Sequence, residues 1–450
     1  MDPSRKLSRQ SRRLAERARD RLIGPADDAS ADPLRLPAPR EREVYRILNF
    51  ALRAGNAMLS SGAGTIEVES TILALTAACG LARCEVDVTF NSMTASYIRG
   101  DDVEPITTLQ VVRRRTVDYT RLAGVHALRS DLVSGRITCD EAFGRLDGLI
   151  AARPRRRGHL IVLSWAGMAA AFTVLLGGDW LVAVVAFVST TAVYSMNRAL
   201  ARRGIPDFFL AALGAAVATA FAMALVALDL PASPSLVVAG GIMVLVPGYA
   251  LVASVQDALT GFPITGTARG LEVMLTAIGI ITGVGTVLYG SVSLGIAVSL
   301  RPVTATPFVY LPLQVAAAGV AATLYGAATM VPRRSLPASG ITGAAGWLVF
   351  LLLGHAGLSL IAATAVAAIA VGAVGNVLAG RHRTHPFLYV VPGIMPLVPG
   401  LALYQAMLDL YTARSGGKGL LQAFGVGLAI AAGVTLGNMM IRPLRRSVAR

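Results

Sequence analysis

Two patterns of hydrophobic and polar positions divide the chain near residue 153. Before it, apolar residues recur at the spacings of a small folded domain. Val44, Leu48, Ala51, Leu52 and Met58 predict a helix that ends at SSGAG. A second helix begins near Thr65, carries Glu67 and Glu69 in its first turn where carboxylates suit the helix dipole, and closes at Gly80. CEVDVTF and SMTASY alternate as strands, and ITTLQVV predicts a third. Two more helices follow, the second introduced by Thr138-Cys139-Asp140-Glu141, the pattern of a capping box. Residues 41–153 are therefore read as an α+β domain, preceded by a basic, apolar-poor disordered arm over 1–40.

Beyond ARPRRRG the period changes to one long apolar segment after another. A bilayer takes about 20 apolar residues per helix. Ten spans are predicted, at roughly 159–177, 180–196, 208–229, 236–256, 271–299, 308–330, 338–354, 358–379, 388–408 and 419–441. The fold class expected is a polytopic α-helical membrane protein of ten transmembrane helices with a small N-terminal α+β domain.

Composition sharpens this division. The chain has 450 residues, 54% hydrophobic and 15% charged, against about 25% charged in average soluble domains. Charge is concentrated in residues 1–157, which hold 26 of the 41 Lys/Arg and 20 of the 26 Asp/Glu. The net charge of +15 is not read as nucleic-acid binding, because no helix-turn-helix, RNA-binding or zinc-finger pattern accompanies it. Anionic membrane lipid and topology account for it better. With the N-terminus inside, sixteen arginines fall in segments assigned to the cytoplasm, Arg269 among them. Only Arg301, Arg414 and Lys418 fall outside. Both termini, including a basic tail over 443–450, are thus expected in the cytoplasm of a plasma-membrane protein.

Inside the fourth predicted span stands GIMVLVPG, residues 241–248, and in the ninth GIMPLVPG, residues 393–400. Proline and glycine both disfavour a helix interior. The copies align at an offset of 152 residues, and Ala250, Leu251 and Asp257 align with Ala402, Leu403 and Asp409. Five spans separate them, an odd number, so the copies run in opposite directions. The halves 158–300 and 308–442 are accordingly read as inverted repeats, the architecture of many secondary transporters. Pro247 and Pro399 each lie about 16 Å from a span end, near mid-bilayer. The substrate is expected at Pro247, Gly248, Pro399 and Gly400, where interrupted helices free backbone groups. Amides near span ends, Asn197, Gln256, Asn376, Gln405 and Asn438, are further candidates, although helix packing is the commoner role for each.

Carboxylates in the membrane part, including Asp257, Glu272 and Asp409, fall near span ends. Asp257, Asp409 and Glu272 are candidates for ion coupling or gating, although interface anchoring is the commoner role. No GxxxxGK[ST], HExxH or GxSxG occurs, so neither an ATP-driven pump nor a hydrolase is indicated. No cofactor is implied. Cys79, Cys84 and Cys139 match no metal-binding spacing and are expected to be buried reduced thiols. His126 is the only histidine of the α+β domain, and Glu67 is expected to anchor its turn against a nearby arginine.

The order of parts resembles the threonine/serine exporter family: AGNAMLSSGAGTIEVEST, CEVDVTF and a TCDEAFGRLDGLI helix lead into about ten spans bearing two Pro-Gly motifs. The likeness extends from about residue 43 to 442. It implies secondary export of small hydroxylated amino acids driven by the proton motive force; no nucleophile–base–orienter set can be assembled in the α+β domain, so no enzymatic activity is expected. A channel, a carrier of another small polar metabolite, and an exporter with a hydrolytic domain are the alternatives. Oligomeric state is not legible.

Overall fold

A computed structural model describes residues 41–100, 103–113, 117–152, 158–230, 233–293, 310–382, 384–398 and 416–448. The expected arm over 1–40, and Pro399, Gly400, Gln405 and Asp409 of the second motif, lie outside the described residues. The chain falls into two compact units, Met1–Glu43 and Val44–Arg450. Of the first, only residues 41–43 are described.

The first elements match the hydrophobic pattern closely. Helix α1 (Glu41–Ser60) buries Val44, Leu48, Ala51, Leu52 and Met58. Helix α2 (Thr65–Ala78) follows after the SSGAG turn. Strands β1 (Cys84–Val88), β2 (Ser92–Tyr97) and β3 (Ile106–Val111) form an antiparallel sheet in that order, with Val86 opposite Ala95 and Ala95 opposite Thr108. Helix α3 (Tyr119–Val133) is capped by Asp118, whose side chain accepts from the Arg121 N–H. Helix α4 (Cys139–Ala151) has the predicted capping box: Thr138 accepts from the Glu141 N–H, and the Glu141 carboxylate accepts from the Thr138 N–H.

The cysteine expectation is corrected here. The C-terminal end of α2 and the start of α4 meet, with the Cys79 and Cys139 Cα atoms 5.8 Å apart, and the two form a disulfide. Cys84 is free and half-buried.

The apolar part contains α5 (Gly158–Leu175), α6 (Trp180–Ala201), α7 (Asp207–Ala227), α8 (Pro234–Ile242), α9 (Gly248–Leu259) and α10 (Pro263–Ser293). Then come α11 (Leu311–Ala328), α12 (Leu336–His355), α13 (Leu360–His382), α14 (Phe387–Ile394) and α15 (Gly416–Val448). Among the described residues, eight helices are long and apolar enough to cross a membrane, and α8, α9 and α14 are not among them. The fourth and ninth segments are therefore not continuous helices where they are described. They are the two that carry the repeated motif.

Packing is duplicated along the chain. In the first half α5 packs on α6, α6 on α7 and α8, α7 on α8 and α10, and α5 on α8. Each pairing recurs in the second half: α11 on α12, α12 on α13 and α14, α13 on α14 and α15, and α11 on α14. The contact chemistry recurs as well. A Cβ added at Gly279 would lie 2.7 Å from the Phe208 carbonyl oxygen, and one at Gly437 would lie 2.5 Å from that of Ile369. Glycine allows the two backbones to approach this closely, as in small-residue interfaces of membrane helices.

The α/β elements share a core with the helices that follow. Leu48, Ile72, Met93 and Leu122 belong to one buried cluster with Phe172, Tyr325, Leu388 and Val398. Polar contacts stitch the same boundary. The Tyr119 N–H donates to the Thr329 carbonyl at 3.0 Å, and the Tyr249 hydroxyl donates to the Gly62 carbonyl at 3.3 Å.

Candidate functional site

The repeated motif answers to its residue types. Between α8 and α9 the chain leaves the helix over residues 243–247, and Pro247 takes φ −79°, ψ 45°. Short turns absorb the broken ladder: the Leu245 and Val246 amides both donate to the Ile242 carbonyl, and the Gly248 amide to that of Val246. Those N–H groups are satisfied internally, which is what an apolar surrounding demands. Helix α14 likewise gives way to a 3-10 turn over Met395–Leu397. The two breaks touch, since Gly248 faces Val398, the residue before the second Pro-Gly.

Immediately after the first break, α9 begins to line a cavity of about 660 Å³. Tyr249, Val252, Gln256 and Asp257 come from α9, Arg269 from α10, Asn376 from α13 and Asn438 from α15. Glu67 of α2, Arg129 of α3 and the Thr384–Phe387 stretch complete it. Of the expected site residues, the fold brings Gln256, Asp257, Asn376, Asn438 and Glu67 to this one cavity. Pro247 and Gly248 stand just before its wall rather than in it. Asn197 lies elsewhere, on α6 beside Gly214, with its Oδ1 buried and unpartnered. Glu272 is on α10 and Glu69 on α2, and neither lines the cavity.

Asp257, a candidate for ion coupling or gating, is buried, with 2% of its surface exposed. One carboxylate oxygen accepts from the Thr65 N–H at 3.3 Å, and the other lies 3.1 Å from Arg269 Nη1. Thr65 opens α2, whose preceding residue Gly64 offers no side-chain cap. A carboxylate from a different helix thus fills the N-terminal position, where the helix dipole favours negative charge. Arg269 is also buried, inside α10, and so is not the exposed loop cation that the charge pattern suggested.

Asn376 donates through Nδ2 to the Gly372 carbonyl at 2.9 Å and to the Asn438 Oδ1. This amide pair ties α13 to α15 at the cavity wall.

Glu67 does not close on an arginine alone. Its Oε1 lies 3.0 Å from His126 Nε2 and 3.3 Å from His385 Nε2, and the two imidazoles stack at 3.8 Å. Burial pushes the Glu67 carboxyl upward, but contact with His126 and the positive charges of His385, His126 and Arg129 outweigh it, holding the group below its ordinary value. The 3.0 Å approach is an ion-pair distance without hydrogen-bond geometry, for His126 Nε2 is buried with no hydrogen-bond partner. Asp257 Oδ2 and Arg269 Nε, in the cavity lining, are in the same condition, as is Thr65 Oγ1 between the lining residues Gly64 and Ile66. Unsatisfied buried polar atoms are scarce in native proteins, and four of the eight found among the described residues lie in or beside this site. Sequence reading missed this cluster because its members are far apart along the chain. The carboxylate in the first turn of α2 and the lone histidine of the α/β part were its only signals.

Residues 49–289 match the sequence family described as "Putative threonine/serine exporter", and residues 314–440 match the one described as "Threonine/Serine exporter, ThrE". A "Probable threonine/serine exporter" of Mycobacterium tuberculosis is 34% identical over 93% of this chain and 82% of its own length. A "Threonine/serine exporter" of Corynebacterium glutamicum is 32% identical over 94% of this chain and 89% of its own. No solved structure matches the chain. With likeness that runs nearly end to end, the chain belongs to the threonine/serine exporter family.

Proposed function

We propose that this protein exports threonine and serine across the plasma membrane, drawing on the proton motive force. The observation that carries the reading is the cavity. It presents an acid and a base in two places, Asp257 with Arg269 and Glu67 with Arg129, alongside the amides of Gln256, Asn376 and Asn438. A zwitterionic amino acid needs this set: a cation for its carboxylate, a carboxylate for its ammonium, and neutral polar groups for a hydroxyl.

The halves 158–300 and 308–442 act as inverted repeats that alternate access around the cavity. Their duplicated helix pairing supports this reading. The breaks at Pro247-Gly248 and Pro399-Gly400 serve as pivots, and Gln405 and Asp409 are the second motif's equivalents of Gln256 and Asp257. Asp257, Asp409 and Glu272 are the groups proposed for ion coupling. With Arg269 withdrawn from the count, fifteen arginines still favour a cytoplasmic N- and C-terminus against three basic residues outside.

The test is uptake of labelled amino acids into inverted membrane vesicles, with and without an imposed pH gradient. Threonine and serine should accumulate when the gradient is applied, and unlabelled threonine on the far side should accelerate exchange of the label. Uptake indifferent to the gradient removes the proton coupling. Flux without counterflow makes the protein a channel.

A further inference from the structure

We infer that Glu67, His126 and His385 hold a divalent transition-metal ion of the zinc class, with its open coordination positions facing the cavity. The three residues come from the first turn of α2, the middle of α3 and the stretch before α14. Their ligand atoms all lie within 4.8 Å of one another. Two imidazoles and one carboxylate form a common ligand set for such ions when other positions are left to water or substrate.

Two observations favour an ion over a simple ion pair. The two oxygen–nitrogen separations, 3.0 and 3.3 Å, approximate the edge of a tetrahedron with metal–ligand bonds near 2.1 Å, about 3.4 Å. The His126 side chain is only 9% exposed, and its Nε2 is buried beside the carboxylate without a hydrogen bond to it.

The stack of the two imidazoles defines what must move. Its rings are nearly parallel, 6° apart, so their ε nitrogens run side by side rather than converging. His385 supplies the adjustment, since its side chain is 34% exposed. Rotation of its ring aims Nε2 at the ion and puts the ring proton on Nδ1. That exchanges the long 3.4 Å contact from the Phe387 amide for solvent. Arg129, whose Nη1 lies 3.3 Å from Thr71 Oγ1, also lines the cavity. Ion and guanidinium together would receive a carboxylate group, so the ligand class is a small carboxylate-bearing molecule.

The experiment uses the full-length, tag-free protein in detergent, stripped with a chelator and titrated with Zn(II) or Co(II). It reads binding and not transport, so its outcome is separate from that of the export assay. Wild type should take one equivalent, show the ligand-field bands of nitrogen- and oxygen-bound Co(II), and gain thermal stability with zinc. His385→Gln, at the most exposed of the three positions, should weaken binding at least about tenfold. Glu67→Gln should do the same and remove the thermal gain. Absence of stoichiometric binding in wild type overturns the site. So does binding that His385→Gln and Glu67→Gln both leave unchanged.

Discussion

Gly248 packs so closely against Val398 that a Cβ on the glycine would overlap the valine Cγ1. Each residue belongs to one of the two repeated motifs, so the contact joins the two helix breaks. Gly248→Ala should therefore behave as overpacking at a rigid β-branched neighbour, costing about 1–3 kcal/mol. Val398→Ala in the same chain should recover most of that loss, a coupling readable by thermal denaturation in detergent across the double-mutant cycle. Additive effects of the two substitutions would show that the breaks do not bear on one another. Gly248→Leu should abolish transport while membrane insertion persists.

Asp257 and Arg269 are both buried and 3.1 Å apart. Removing one partner leaves a charge without compensation, so Asp257→Ala should lower stability by about 3–5 kcal/mol. Asp257→Leu combined with Arg269→Met should be markedly more stable than either single variant. A comparison of melting temperatures of the four proteins checks this. Equal melting of Asp257→Ala and wild type would mean the pair has no structural role.

The Glu67 carboxyl titrates below its ordinary value because the neighbouring imidazoles and Arg129 outweigh the effect of burial. Its contribution to stability is then full above the unfolded carboxylate range and fades as the pH falls toward the depressed folded value. The difference in melting temperature between wild type and Glu67→Gln should be largest above about pH 5 and shrink on acidification below about pH 4. A difference that grows in acid would reverse the sign and refute the assignment.

The Cys79–Cys139 bond closes a loop of sequence separation 60. Chain-entropy arguments put its contribution at about 4 kcal/mol. Thiol titration of the denatured, unreduced chain should find one reactive cysteine of three, Cys84, and reduction should expose the other two. Hydrogen exchange in α2 and α4 should accelerate on reduction. Three reactive thiols before reduction would refute the pairing.

Much of this architecture was legible because it is local. The start and end of α2, the three strands and the Thr138–Glu141 capping box are each set by residues within a few positions of one another. The apolar spans are likewise a matter of windowed hydropathy. The site was harder to see because it is assembled across the chain. Asp257 and Arg269 both fall between the predicted spans 236–256 and 271–299; the fold extends α9 and α10 over them, and the turn at Thr260–Phe262 makes them partners. Glu67, His126 and His385 come from three elements that no periodicity connects. The disulfide escaped for the same reason, since the cysteines meet only when α2 and α4 pack end to start.

The carboxylate of Asp257 at the head of α2 has a mechanical meaning. Helix α9 starts at a backbone hinge and, nine residues on, holds the dipole of a helix outside the apolar segments. In the proposed cycle, a tilt of α9 about that break would be felt by the α/β part, which would then act as a lever on transport rather than as a passenger beside it.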